Sequence, residues 1–236
     1  DISRIEILRG PQGTLYGDAA MGGTIKVVTN KPSIAEFSGG AASSYSFTKD
    51  GGESFSAESY VNVPLGDRLA LRVSGYFEEL GGYIDNIPPT VGLGDQSGGV
   101  LPFRVNVRKD VDSGNRKGVR VALRIQPTES VNVDLSAWLQ DIDVGARAFY
   151  DEPTPLETSF RGTMFAEQAL EIYNGTLEWT GEKLGLLSST TYYTADTINS
   201  EDITVFLARG LFGFSPSVFT NPQQLNNSFP AEGLTH

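Results

Sequence analysis

Residues 69–80 read Leu-Ala-Leu-Arg-Val-Ser-Gly-Tyr-Phe-Glu-Glu-Leu. Leu69, Leu71, Val73, Gly75 and Phe77 fall on one side of an extended chain. Arg72, Ser74, Tyr76 and Glu78 fall on the other. Successive side chains of a strand point to opposite faces, so this period of two predicts a β-strand with one apolar and one polar side. The pattern repeats along the chain. From Gly118 to Gln126, Val119, Val121, Leu123 and Ile125 oppose Arg120, Ala122 and Arg124. From Val131 to Gln140, Val133, Leu135, Ala137 and Leu139 oppose Asn132, Asp134, Ser136 and Trp138. Glu53–Val63 alternates as well, and weaker versions occupy Gly39–Thr48, Ala169–Thr180 and Leu184–Ala195. Seven strands are predicted after residue 38. The short stretch Phe165–Ile172 carries the one helical pattern, beside a run that reads as strand.

These runs are about 9–12 residues long, the length a tilted strand needs to cross a bilayer. Strands of soluble sheets are about half as long. The connections alternate in length. Pro64–Arg68, Pro127–Ser130 and Gly181–Lys183 are tight turns, whereas 81–117, 142–168 and 196–236 are long. In an up-and-down sheet, alternate connections share a rim. One rim therefore carries short turns and the other long loops, with Lys49–Gly52 a short connection on the long side. Tyr45, Phe47, Phe55, Tyr76, Phe77, Tyr192 and Tyr193 are placed toward the long-loop rim and Trp179 beside a short turn. Aromatic rings collect at membrane interfaces because the ring body is apolar and its edge or hydroxyl is wet. Alternation alone fits a soluble sandwich too. Strand length, loop asymmetry and aromatic placement together favour a transmembrane β-barrel.

Composition narrows the chemistry. With 18 basic and 29 acidic residues the net charge is −11, which argues against nucleic acid as a partner. The chain has no cysteine, and its single histidine is His236. Disulfides, thiolate metal sites and Ser-His-Asp catalysis are thereby removed. Ser46 and Lys49 have the spacing of an acyl-serine motif but sit at a strand end without its companion motifs. Asp110, Asp112 and Gly114 match part of a calcium loop whose remaining ligands do not follow. Asp141, Asp143, Asp151, Glu152 and Glu157 lie in or beside a long loop, where they either attract cations or simply face water. No catalytic residue, cofactor site or metal site is assigned, and the chain reads as a non-enzyme.

Residues 1–32 differ from the rest: DISRIEILRGPQGTLYGDAAMGGTIKVVTNKP. Ile2–Leu8 and Ile25–Val28 are apolar, with Arg9, Gly10, Pro11, Gln12, Gly13, Thr14, Leu15, Tyr16, Gly17, Gly22 and Gly23 between them. No phosphate-loop spacing is present. This stretch resembles the end of the plug domain of TonB-dependent outer-membrane receptors.

The resemblance implies a 22-stranded barrel of the bacterial outer membrane, plugged from inside. On that frame, residues 1–32 are the C-terminal part of the plug and 33–38 a linker. Residues 39–195 supply the first seven strands, and 196–236 a truncated extracellular loop. The fold class is all-β, an antiparallel meander forming part of the wall. Seven strands in 39–195 use about 22 residues each, so 22 strands need about 490 residues, against 236 − 38 = 198 after the linker. The resemblance further implies binding of a scarce nutrient at outer loops and plug, then energy-coupled import. The ligand class is a ferric siderophore, cobalamin, haem or an oligosaccharide. The partners are outer-membrane lipid and TonB, the latter through a segment missing from this chain. It also implies that Arg9 meets glutamates of the barrel wall, with Glu6 the alternative partner within the plug. Two other functions stay open on the residues alone: a passive porin or structural barrel, and a soluble secreted β-domain acting as an adhesin or on carbohydrate.

Overall fold

The computed structural model describes residues 1–11, 22–87, 107–145, 156–158 and 162–202, together with the backbone of 224–235. Among the described residues twelve strands follow one another: β1 (Ile2–Arg9), β2 (Gly23–Thr29), β3 (Ser38–Phe47), β4 (Glu53–Pro64), β5 (Leu69–Leu80), β6 (Asp85–Asn86), β7 (Gly114–Thr128), β8 (Val131–Val144), β9 (Glu157–Thr158), β10 (Phe165–Thr180), β11 (Gly185–Asp202) and β12 (Gln224–Thr235). Eight of them form one antiparallel meander in the order β12-β11-β10-β8-β7-β5-β4-β3. β1 and β2 make a separate hairpin, and β6 and β9 a two-residue parallel pair.

The seven predicted strands are all present, and four, β7, β8, β10 and β11, are longer than expected. β10 begins at Phe165 and absorbs the helical pattern, because its backbone pairs with β8 on one side and β11 on the other. β11 continues to Asp202. The span 196–236 is therefore not loop throughout: it ends β11 and contributes an eighth strand, β12, registered from Thr191–Thr235 to Asp202–Gln224. Pro230 and a polar run hid β12 from the sequence reading. An edge position accommodates a proline, since one side of the strand needs no donor. β12, not β11, is thus the far edge among the described strands.

Alternation puts Val73, Val121, Ala137, Tyr173 and Tyr192 in one row on the outer face. Val121, Leu135, Leu139, Leu177 and Trp179 are exposed there. Phe77 stands four residues beyond Val73 on β5, 77 − 73, and Phe55 pairs with Glu79 two residues further. The outward aromatics Tyr45, Phe55, Phe77, Tyr173 and Tyr192 therefore descend obliquely across the register. Tilted strands with a stagger of about one residue per strand produce that course while keeping one level in the bilayer. Tyr76 and Tyr193 do not belong to this belt. Their registers place them on the opposite face, beside Gly118 and Ile172.

The tight turns are as read. Leu65 N–H donates to Leu69 O at 2.8 Å, and Gly66 takes a φ of 130°. At the other rim the connections are laced together. Asp112 Oδ1 accepts from the backbone N–H groups of Tyr83 and Ile84 at 2.7 and 2.8 Å. Asn86 exchanges two backbone bonds with Arg108, and Ile87 N–H donates to Thr158 O. Asp112 is thus committed to capping backbone amides. No group of three or more metal-ligating side chains occurs among the described residues.

Candidate functional site: the seat of the hairpin on the wall

The inner face of the sheet is small and polar where the hairpin meets it. Ala70, Arg72 and Ser74 of β5 are buried, as are Asn62 of β4 and Ala122 of β7. Arg72 registers with Asn62 on one side and with Ala122 on the other, so it lies in a row of side chains short enough to admit another chain.

The base of the hairpin occupies that row. Asp1 accepts from Arg72 in a fork, Nε to Oδ2 at 2.9 Å and Nη2 to Oδ1 at 2.6 Å. Both side chains are more than nine-tenths buried. Such parallel N–H···O pairs are the strongest geometry a guanidinium offers a carboxylate. The Tyr60 ring lies under the Arg72 guanidinium, 4.2 Å from centroid to Cζ. Arg120, on β7, donates to Asn30 O at 3.0 Å and stands 3.6 Å from Asp1. Asn30 ties the two ends of the hairpin together through Nδ2 to Asp1 Oδ1 at 2.9 Å. One residue on, Lys31 pairs with Asp134 of β8 at 3.1 Å, and Arg124 holds the same carboxylate bidentately. The polar-face residues Arg72, Arg120, Arg124 and Asp134 all carry the seat or buttress it.

The connector is fastened next to it. Asn62 Oδ1 accepts from Ser33 N–H at 2.9 Å, and its Nδ2 donates to Ser33 O and Glu36 O at 2.9 and 2.8 Å. Asn62 is fully buried with its amide satisfied. Its position on the polar face was legible, but a single asparagine carried no signal of this task. Beside the seat, hairpin and wall enclose a groove of about 790 Å³ reached by Glu58, Tyr60, Tyr76 and Trp138.

At the other end of the hairpin, Arg9 registers with Gly23. Gly23 has a φ of 131°, and a side chain there would meet Leu8 O at 2.5 Å. Gly10 also has a positive φ, 84°. Only glycine takes both positions without strain. Glu6, the alternative partner for Arg9, is engaged by Arg4 at 2.6 Å and Lys26 at 3.7 Å. These cations, Arg4 foremost through its hydrogen bond, hold the Glu6 carboxyl below the usual glutamate range. Gln12, Gly13, Thr14, Leu15, Tyr16 and Gly17 lie outside the described residues, as do Asp151 and Glu152.

No family model matches the chain. It is 34% identical over 113 residues to the iron-regulated outer membrane virulence protein of Vibrio cholerae, 47% of this chain and 17% of that protein. It is 59% identical over 32 residues to the pesticin receptor of Yersinia enterocolitica, 14% of this chain and 5% of the relative. The chain thus spans under a fifth of the length of these relatives. Among solved structures, the ferric enterobactin receptor PfeA of Pseudomonas aeruginosa aligns with 97% of this chain and 32% of its own, at a TM-score of 0.64 and 20% identity. The siderophore receptor PirA of Acinetobacter baumannii aligns with 98% of this chain and 30% of its own, at 0.60 and 19%. The chain thus has the fold of part of the barrel wall of these receptors, and its sequence is similar to that of outer-membrane receptor proteins.

Proposed function

We propose that the complete protein carrying this sequence is a bacterial outer-membrane receptor that binds a scarce nutrient and imports it with energy delivered through TonB. Residues 1–32 are the end of its plug, 33–38 the connector, and the barrel begins at residue 39. The ligand is a ferric siderophore or a compound of similar scarcity, the class named for PfeA and PirA. The observation that carries the reading is the occupied inner face. The polar side of the wall holds a hairpin of the same chain through the Asp1–Arg72 and Lys31–Asp134 pairs. A passive pore keeps that face for water and solutes. Lipid covers the outer face, where Val121, Leu135 and Leu177 are exposed.

The test is uptake in cells grown without available iron. Deletion of the complete gene should abolish accumulation of a radiolabelled ferric siderophore from a panel, and loss of TonB should do the same with binding retained. Energy-independent diffusion of small solutes of many kinds would favour a porin. A monodisperse, detergent-free monomer of the complete protein would favour the soluble β-domain.

A further inference from the structure

We infer that Asp1, Arg72 and Arg120 form a single anchor that sets how firmly the hairpin stays on the wall, and that Asp1 is its keystone. This inference rests on the plugged-barrel reading above. Three observations carry it. First, the contact joins two separate sheets: β1 and β2 pair only with each other among the described strands, and Asp1, Asn30 and Lys31 bond them to the wall. Second, the charges are unequal. Arg72 and Arg120 lie on adjacent strands, and Asp1 is the carboxylate between them, at 2.6 and 3.6 Å. Third, the group is withdrawn from water, with side-chain exposures of 7% for Asp1, 9% for Arg72 and 13% for Arg120.

Removing one member of a buried pair leaves an uncompensated charge, which costs more than the pair contributed. Here the two possible removals differ. Without Arg72, Asp1 keeps Arg120 and Asn30. Without Asp1, two neighbouring guanidinium groups lose the carboxylate they share, and Arg72 loses both of its charged hydrogen bonds. The anchor therefore predicts an order of effects that mere packing does not: loss of Asp1 is the most damaging, and losing Arg72 as well relieves it. The Lys31–Asp134 pair is a weaker second fastening, because Lys31 is half exposed and Arg124 satisfies Asp134 without it.

The experiment uses the complete receptor in a planar lipid bilayer. Urea is raised until the plug lets go and a large conductance appears. Asp1→Ala should open at a urea concentration lower by roughly 1 M or more. Arg72→Ala should shift less, and Asp1→Ala with Arg72→Ala should recover part of the Asp1→Ala shift. An opening threshold unchanged in Asp1→Ala overturns the anchor, and so does a double variant whose shift equals the sum of the two single shifts. Should Arg72→Ala fail to insert, Asp1→Ala decides alone, because its substitution lies outside the wall. A wild-type receptor that already shows the large conductance without urea overturns the plugged-barrel reading itself, and the anchor with it.

Discussion

Tyr76 lies across Gly118, its cross-strand partner, and reaches Gln140 on the strand beyond, donating a hydrogen bond of 2.9 Å to Oε1. A methyl group on Gly118 would sit 2.6 Å from the Tyr76 ring. The glycine is the space the ring occupies, and the ring in turn covers the backbone the glycine exposes. Tyr60 stands over Gly40 in the same manner, with 2.9 Å to a methyl placed there. This use explains why Tyr76 faces inward and not into the aromatic belt.

Gly118→Ala should therefore displace the ring and break its bond to Gln140, costing about 1–3 kcal/mol. Tyr76→Phe keeps the cover and loses only the hydrogen bond, for about 1 kcal/mol. Folding titrations of the complete receptor in lipid vesicles measure both. Equal costs would mean that the ring's position is unimportant.

The two faces of the wall predict opposite tolerances. Leu135, exposed outward, should reject arginine by about 2–4 kcal/mol at the bilayer midplane, as should Leu123. Arginine at the inward-facing neighbour Ser136 should cost much less. The inward position 122 is unsuitable for this comparison. Ala122 is buried next to Arg72, so arginine there meets crowding and a like charge. Vesicle folding yields of Leu135→Arg and Ser136→Arg give the answer, and identical yields would reverse the assignment of faces.

Asn62→Ala strips the connector of three hydrogen bonds at once. Each buried group left without a partner costs about 1–3 kcal/mol. The variant should admit protease to the connector from the inner side while the barrel stays folded. Limited proteolysis followed by electrophoresis of unheated samples separates the two effects. Resistance equal to that of the wild type would mean that Asn62 is dispensable.

The laced rim should respond to acid. Burial, then the charges of Asp85 and Asp112, raise the Asp110 carboxyl above the ordinary aspartate range. A pKa raised by folding means that the protonated form suits the fold. The contribution is fully present below the unfolded-state value and is lost as pH rises through the folded-state value. Spin labels on loop positions 83 and 156 should show a narrower distance distribution at pH ~3 than at pH ~7. Asp110→Asn mimics the protonated side chain and tolerates the backbone φ of 53°, so its distribution should stay narrow throughout. A pH response undiminished in that variant would assign the effect elsewhere.

Period-two alternation is a property of consecutive residues, so the antiparallel wall, its facing and its short turns were all readable from runs such as Leu69–Leu80 and Val131–Gln140. The hairpin strands β1 and β2 were readable too, because two apolar runs flanking a glycine-rich stretch are a local signal. What folding alone decided is which polar residues meet across long separations. Arg72 lies 71 residues from Asp1, Asn62 is 29 from Ser33, and Tyr76 is 64 from Gln140. No spacing rule links such pairs. They depend on strand register and on where the hairpin docks. The eighth strand escaped for the same reason: Gln224–Thr235 has little pattern of its own, and its extended form comes from the hydrogen bonds offered by the edge of β11.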